Sequence, residues 1–347
     1  MNKIINQHSE TQRIFGLDLM RATAILMVVI GHCVWIVPER DSFIHQLLVL
    51  SGFFGVEIFF VLSGFLIGKI LYQLYLNSDF SLATVFYFLK RRWFRTLPNY
   101  FLVLLLNLLI ATIVGYAAFS WWQYFFFWQN LHTTMLPFFP ESWSLSVEEY
   151  AYIILPFFIL LAGLLLQPEN KGRFFLQMVL VLIGVFLATK LYYHFNEPTT
   201  NLTQWNLSLK AVVIYRLDSI FIGVLCSWLF YQFELLWKKY QMIVMGIGTL
   251  LFFFQFFVIG SLGWVIETHP LLWNVFYLPL LSVAVACFLP FLSQWNAAGL
   301  FFEKPIVFLS KVSYSMYLLH YSVILFLMKQ YISFDAQDAF EVGIFIL

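Results

Sequence analysis

Two ionisable residues, Arg21 and His32, lie eleven positions apart inside the first apolar segment of the chain. On an α-helix, eleven steps of about 100° return to nearly the same face, and a rise of about 1.5 Å per residue separates the two side chains by ~16 Å along the axis. Ionisable groups in a segment long enough to cross a bilayer are costly and usually functional. The spacing therefore predicts one helix face that carries a cation near its start and a titratable imidazole deeper in the membrane.

A second group of basic residues occupies positions 90–95, shortly before Pro98. Arg92 and Arg95 are three positions apart, so on a helix they point the same way and can hold two anionic groups at once. The planar guanidinium of arginine matches phosphate. We expect an anion site at the inner mouth of the third apolar segment, and the alternative is a positive anchor that contacts lipid headgroups.

Glu57 places a carboxylate in the middle of the second apolar segment, where it needs a partner. Arg21 and Arg216 are the candidates, and a structural ion pair and a direct role in chemistry are both open. Gly64 and Gly68, further along the same segment, form a small-xxx-small pair. Such a pair favours close packing of two helices.

Another carboxylate, Glu148, follows Trp143 and Ser144 at the start of the fourth apolar segment. The next residue, Glu149, points about 100° away from it on a helix. Arg216 and Asp218 lie early in the sixth segment, toward the same side of the membrane. We therefore predict that Glu148, Arg216 and Asp218 meet in one polar cluster. Paired intramembrane charges also stabilise helix bundles, so a purely structural role is the alternative.

A polar stripe is predicted in the ninth apolar segment. Tyr314, Tyr317 and His320 follow one another at intervals of three residues. Residues three apart are neighbours on a helix surface. The three side chains are expected to line one face of that helix.

The composition identifies the elements that must position these residues. Of the 347 residues, 62% are hydrophobic and only 11% are charged, whereas about a quarter of the residues of a soluble domain are charged. Uninterrupted apolar runs of about 17 to 25 residues indicate membrane-spanning helices rather than strands. The predicted fold is all-α, a polytopic bundle of about ten helices in a single domain over 1–347. The runs lie near 14–37, 50–76, 99–118, 145–166, 174–194, 211–232, 241–262, 271–293 and 306–329, and a tenth that begins near 339 is expected to be incomplete.

Lysine and arginine are concentrated in alternate connections, which favours a cytoplasmic N-terminus and a multi-pass protein of the cell membrane. Lys190 and Lys210 are among the few cations assigned to the opposite side. A connection over 116–144 is rich in tryptophan and phenylalanine and is expected to lie in the membrane interface. The net charge is +1, and the sequence contains no basic tail or acidic block. No nucleic-acid partner is therefore expected.

The ordered motifs resemble those of the acyltransferase 3 family. They are Asp18-Leu19-Met20-Arg21 with His32, Gly55 to Phe65 around Glu57, Arg92-Trp93-Phe94-Arg95-Thr96-Leu97-Pro98, Trp143-Ser144-Leu145-Ser146-Val147-Glu148, Arg216-Leu217-Asp218 and Ser313 to His320. The resemblance covers about residues 12 to 330. It implies a membrane enzyme of about ten helices that moves an acyl group, most often acetyl, from acyl-coenzyme A (acyl-CoA) to a sugar hydroxyl. The family often has aspartate where this chain has Glu57, and it usually completes a final helix.

The resemblance also implies roles for the residues. Arg21 and His32 match the arginine and histidine of the family's first helix, and Arg92 and Arg95 match its paired arginines. Chemistry gives consistent assignments: the two arginines bind the phosphates of coenzyme A, and neutral imidazole, with an unperturbed pKa near 6.5, acts as the base. Arg21 binds donor phosphate or stabilises developing negative charge, and Glu148 orients or balances a catalytic partner.

Two other classes of function are compatible with intramembrane charges. A transporter or flippase for a glycan or an acylated substrate would also need a polar central path, although no inverted repeat is visible. A structural subunit of a polysaccharide-assembly complex is the third possibility. The expected partners are acyl-CoA, a glycan or lipid-linked sugar acceptor and the lipid bilayer, with no metal. The identities of the acceptor and of the acyl group are left open by the sequence.

Overall fold

A computed structural model describes residues 13–36, 43–77, 79–118, 120–197 and 201–331. Over these residues the regular secondary structure is helical, with no strand, as the predicted all-α class requires. Seven of the described helices are long and apolar enough to cross a membrane. The tenth predicted segment, near 339, lies outside the described residues. The prediction of a polytopic transmembrane helical protein is confirmed.

The elements follow one another as helices, and the longest connection between them covers residues 115–141. They are α1 (Phe15–His32), α2 (Phe43–Asn77), α3 (Leu82–Val114), α4 (Ser142–Leu166), α5 (Lys171–Asn196), α6 (Leu202–Trp205), α7 (Leu217–Gln232), α8 (Glu234–Lys239), α9 (Gln241–Ser261), α10 (Leu272–Leu292), α11 (Leu300–Leu319) and α12 (Phe326–Tyr331). A π-helical segment, His320–Leu325, joins α11 to α12. Such widened turns within helices often mark functional positions.

The second helix is the centre of the bundle, because α2 packs most extensively against α7 on one side and α1 on the other. Two glycines make the first of these contacts possible. A Cβ atom on Gly64 would overlap the carbonyl oxygen of Ile220, and one on Gly68 would overlap the hydroxyl of Ser227. The small-xxx-small pair therefore brings α2 and α7 into backbone contact, as its spacing predicted.

The third helix differs from its prediction. The predicted span 99–118 starts too late, since α3 begins at Leu82 and continues through Pro98 to Val114. Arg92 and Arg95 consequently lie inside a long helix and not at its mouth. Hydropathy alone ended the span at the charged residues, but Arg92 has a partner on a neighbouring helix and Arg95 is exposed. Membrane helices also tolerate proline when nearby groups satisfy the freed backbone.

The first helix and α11 lie side by side and run in the same direction. Arg21 contacts Ser310 at one end of this pair, and His32 contacts His320 at the other. We call these the arginine end and the histidine end. The fourth helix runs the opposite way, with its first residues at the histidine end. The packing thus places Arg21 and His32 toward the same neighbouring helix, as their spacing predicts.

Candidate functional site

At the arginine end, Arg92 of α3 reaches across to α4. Its Nη2 donates to Tyr152 Oη at 2.5 Å, and the guanidinium lies 4.5 Å from the centroid of the same ring. Tyr152 Oη donates to Glu148 Oε2 at 2.9 Å and lies 2.5 Å from Ser63 Oγ on α2. The Nε atom of Arg92 is buried and has no hydrogen-bond partner among the described residues. A phenol therefore links this cation to a carboxylate, and one donor is left for an additional anion.

The two adjacent carboxylates of α4 bind different partners. Glu148 accepts from Tyr152, whereas Glu149 accepts from Trp93 Nε1 at 3.0 Å and from Thr96 Oγ1 at 3.2 Å. The divergence follows from the 100° step between consecutive helical residues. Both acids hold α4 against the turn of α3 that carries the arginines.

On α1, Arg21 is bound to α11. Its Nη1 donates to Ser310 Oγ at 3.0 Å and lies 3.5 Å from Asp18 Oδ1, one turn earlier. Asp18 also accepts from Ser310 Oγ at 2.5 Å and from Arg13 Nη2 at 2.9 Å. Asp18 is thus the residue that fixes the start of α1 to α11 and orients Arg21.

Arg21, Arg92 and Arg95 form what we call the arginine cluster. Their positive charges act on one another across the boundary between α1 and α3. Arg95 is exposed and makes no hydrogen bond or ion pair with any residue in the described part of the chain. Three cations gathered in this way favour binding of an anion with more than one negative charge.

At the histidine end, two imidazoles meet between α1 and the π-helical segment. His32 Nδ1 lies 2.8 Å from His320 Nε2. His320 Nδ1 lies 2.6 Å from the carbonyl oxygen of Tyr317, which can only accept, so this nitrogen carries a hydrogen. When both rings are uncharged, His320 Nε2 is then the acceptor and His32 Nδ1 the donor. The lone pair of His32 is left on Nε2, where it is available to take a proton.

The predicted polar stripe of α11 contacts two neighbouring helices besides α1. Tyr314 Oη donates to the carbonyl oxygen of Thr96 on α3 at 2.9 Å. Tyr317 Oη lies 2.6 Å from Ser144 Oγ and donates to the carbonyl oxygen of Glu141 at 3.0 Å. The stripe therefore places polar groups along a line between the arginine end and the histidine end.

A buried carboxylate that the sequence did not single out, Glu141, precedes α4 at the histidine end. It is 3% exposed. Its Oε1 accepts from the backbone N–H of Ser322 at 3.0 Å and from the hydroxyl of the same residue at 2.6 Å. Its Oε2 has no hydrogen-bond partner in the described part of the protein. Burial raises the pKa of Glu141 to about 7, because it disfavours the charged form.

This shifted pKa predicts a pH-dependent stability. The carboxyl group ionises near its usual pKa of 4.5 when the chain is unfolded and near 7 when it is folded. The protonated carboxyl group therefore makes its full contribution to the free energy of unfolding below pH 4.5. This contribution, about 3 kcal/mol in total, is lost as the pH rises to 7. Glu141→Gln, which resembles the protonated form, should lack this loss when unfolding in detergent is followed from pH 4.5 to 8. The exposed Glu267→Gln is the matched control, and an identical pH profile for all three proteins would contradict the shift.

A cavity of about 360 Å³ opens at the histidine end. His32 and Glu141 line it together with Trp143, Tyr317 and Lys210. Of these residues, His32, Trp143 and Tyr317 are predicted site residues, whereas Lys210 was counted only among the cations of the far side. The basic imidazole thus faces a space that can hold a small molecule, with aromatic walls and a few polar groups, as ligand sites usually have.

Two further ion pairs are buried between α2, α5 and α7. Arg216 Nη2 donates to Glu57 Oε2, whose second oxygen accepts from Ser282 on α10. Lys190 Nζ lies 2.5 Å from Asp218 Oδ2. Arg216 is one of the two partners predicted for Glu57. Lys190, which the sequence analysis counts among the cations of the far side, is fully buried within α5.

The predicted cluster of Glu148, Arg216 and Asp218 is wrong. Glu148 binds Tyr152 at the arginine end, while Arg216 and Asp218 take separate partners. Glu148 therefore lies at the depth of Arg92 and not near the opposite mouth. The residue spacing indicated which helix face carries each charge, but it contained no information on which helix lies opposite.

Asp18 and Tyr152 were also missed as site residues, although the sequence held a signal for each. Asp18 precedes Arg21 by three residues, and Tyr152 follows Glu148 by four, the two spacings that bring helical side chains together. Across the described residues, no group of three histidines, cysteines or acids is placed to hold a metal ion.

Comparison with known proteins places these features in context. The family model described as an acyltransferase domain matches residues 14–347. A protein of Staphylococcus aureus strain COL, provisionally named O-acetyltransferase SACOL0978, is 27% identical over 96% of this chain and 54% of its own length. O-acetyltransferase OatA of S. aureus strain NCTC 8325 / PS 47 is 24% identical over 91% of this chain and 51% of its own length. The chain spans about half the length of the curated relatives it matches. No solved structure gives a significant match.

Proposed function

The chain belongs to the acyltransferase 3 family, and from that membership we propose that it transfers an acetyl group from acetyl-CoA to a hydroxyl of a cell-surface or lipid-linked glycan. The names of the relatives support acetyl transfer to oxygen. The single observation that carries the proposal is the hydrogen-bond chain from the carbonyl of Tyr317 through His320 to His32. It supports a neutral imidazole whose Nε2 serves as a base beside the cavity.

The proposed reaction is a direct transfer between two substrates. His32 Nε2 takes the proton of the acceptor hydroxyl as its oxygen attacks the thioester carbonyl carbon. The carbon–sulfur bond then breaks as the tetrahedral intermediate collapses, and the protonated imidazole returns the proton to the departing thiolate of coenzyme A. The products are an O-acetylated glycan and free coenzyme A. General-base assistance of this kind contributes about 10²–10⁴-fold to the rate.

The arginine cluster supports a binding site for the donor. Coenzyme A carries several phosphate charges, and Arg92 Nε is a buried donor with no partner among the described residues. An anion between Arg21, Arg92 and Arg95 would also relieve the repulsion among the three guanidinium groups. The residues present therefore fit the donor. Its pantetheine arm would follow the polar line of α11 toward His32.

We place the arginine end at the cytoplasmic face of the cell membrane, with the N-terminus inside. This assignment rests on the excess of lysine and arginine in alternate connections and on the location of acetyl-CoA in the cytoplasm. His32 then lies deeper toward the far side, and the glycan reaches it from the opposite mouth. The two ends serve two substrates.

Arg95→Gln tests the donor site with little risk to the fold, because Arg95 is exposed. Losing one charged contact to phosphate should raise the KM for acetyl-CoA by about 10-fold and leave the KM for the acceptor unchanged. Arg91→Gln, on an exposed position of the same helix, is the control. The measurement is initial-rate kinetics with acetyl-CoA varied at a fixed concentration of acceptor. An unchanged KM for acetyl-CoA would mean that the arginine cluster only anchors the protein in the membrane.

The function as a whole is tested with purified protein, radiolabelled acetyl-CoA and a panel of glycans. An acetyltransferase consumes the donor and labels the acceptor in detergent, where no membrane separates two compartments. A transporter or flippase would do neither, yet it would move a glycan across a sealed vesicle. Labelled glycan in detergent supports the proposal, and transport without labelling would overturn it.

A further inference from the structure

The cavity at the histidine end contains a cation that the proposed chemistry does not use. Lys210 ends the π-helical segment Asn206–Lys210 and lines the same cavity as His32. Its Nζ lies 5.2 Å from the ring centroid of Phe53 and 5.5 Å from that of Trp143. These ring faces stabilise a cation but leave its hydrogen-bond donors free.

Lys210 has no carboxylate within ion-pair distance in the described part of the chain. Glu57 acts on it electrostatically, but that carboxylate already binds Arg216 and Ser282. Glu141 lines another part of the same cavity and binds Ser322. Lys210 is therefore a cation beside the proposed base that still lacks a counter-charge.

Burial and the nearby Arg216 lower the pKa of Lys210 to about 8. The ammonium group is thus still mostly protonated at neutral pH. A half-buried charge without a partner is unfavourable, and its cost is offset when an anion binds.

The rest of the cavity wall suits a sugar ring. Trp205, Trp273 and Tyr277 line it in addition to Trp143, and the rings of Trp273 and Tyr277 are stacked with centroids 4.3 Å apart. Flat aromatic faces pack against the apolar faces of sugars, while few polar groups fix orientation. The unpartnered Oε2 of Glu141 can accept a hydrogen bond from a sugar hydroxyl.

We propose that Lys210 binds an anionic group of the acceptor, a carboxylate or phosphate carried by the sugar, and so directs a hydroxyl of that sugar to His32. The proposal rests on the function proposed above and adds a substrate class to it: acidic glycans are preferred over neutral ones. Lys210 acts as a specificity-determining residue, because it contacts the acceptor but takes no part in the proton transfer.

The test uses the full chain in detergent with three probes: a glucuronic acid trisaccharide, glucose 1-phosphate and a neutral glucose trisaccharide. Binding is followed by the fluorescence of the cavity tryptophans, and transfer by the KM and kcat with acetyl-CoA. The wild type should bind at least one acidic probe about 10–100-fold more tightly than the neutral one, with an advantage that shrinks as salt is added. Comparing the first two probes distinguishes a carboxylate from a phosphate.

Lys210→Met should remove the preference by raising the Kd and KM for the acidic probe only, while Lys210→Arg should keep it. Lys238→Met is the matched control, since Lys238 is exposed and paired with Glu234 at 2.6 Å. Equal binding of acidic and neutral probes by the wild type would overturn the proposal, even if Lys210→Met fails to fold. A fluorescence change with phosphatidylglycerol nanodiscs but with none of the saccharides would also overturn it, and would identify Lys210 as a residue that contacts lipid.

The two proposals fail in different ways. Charge-selective binding that depends on Lys210, without acetyl transfer, would leave the site in place and overturn the enzymatic function. Acetyl transfer with no preference for acidic over neutral acceptors would leave the enzymatic function in place and overturn the role of Lys210.

Discussion

Acetyl transfer is expected to fall by about 10²–10⁴-fold when His32 is replaced by alanine. Of the two paired imidazoles, the change removes the one that the hydrogen-bond chain leaves with a basic nitrogen, because His320 uses both of its nitrogens, one toward Tyr317 and one toward His32. The KM for acetyl-CoA should change little, since the arginine cluster lies ~16 Å away along α1. The measurement is initial-rate kinetics on purified protein with donor and acceptor varied in turn.

The fold is expected to survive this substitution. His32 is partly exposed to the cavity and its partner, His320, keeps the carbonyl of Tyr317 as a hydrogen-bond acceptor. His132→Ala, in the exposed connection between α3 and α4, is the matched histidine control and should retain full activity. Normal activity of a folded, normally abundant His32→Ala protein would show that the histidine is structural and would remove the base from the mechanism.

The features that the sequence predicted best depend on the geometry of a single helix. Arg21 and His32 both contact the α11 side of α1, because eleven residues nearly complete three turns. The three-residue steps of the α11 stripe likewise place its side chains toward the interior. In each case the helical period alone determines which side chains share a face, so no knowledge of the neighbouring helices is needed.

Contacts between helices were the part that could not be predicted. Glu148 was expected beside Arg216 but binds Tyr152. Lys190, which was counted only among the cations of the far side, pairs with Asp218 inside the bundle. Spacing gives the face and approximate depth of a residue, whereas its partner depends on which helices pack together and how far they shift along one another. An apolar segment offers many arrangements of similar hydrophobic burial, so its charges alone do not select one.

The same reasoning explains why Glu141 and Lys210 escaped notice. Both lie in connections between long helices, where no helical period links them to the motif residues. Their importance comes from a cavity that six separate parts of the chain enclose. A charged residue in a connection is ordinarily taken as solvated, and only the assembled structure reveals that these two face the proposed base.

Glu57→Leu and Arg216→Met, each made alone, are expected to destabilise the protein by about 3–5 kcal/mol. Glu57 is fully buried and Arg216 is 1% exposed, so either change leaves one charge in the interior without its counter-charge. The neighbouring pair Lys190 and Asp218 cannot compensate, because its members already bind each other at 2.5 Å. Unfolding of the purified protein by increasing amounts of SDS in mixed micelles gives the measurement.

The double variant Glu57→Leu with Arg216→Met decides what the pair does. If its role is structural, removing both charges together should restore most of the stability lost in either single variant, since no isolated charge is left and two apolar side chains fill the space. The exposed pair of Glu234 and Lys238 is the control, and its loss should leave unfolding unchanged. Recovery of stability together with acetyl transfer would mean that the pair holds α2 against α7 and takes no part in chemistry. Single variants as stable as the wild type but inactive would contradict this expectation and would place Glu57 and Arg216 in the transfer path itself.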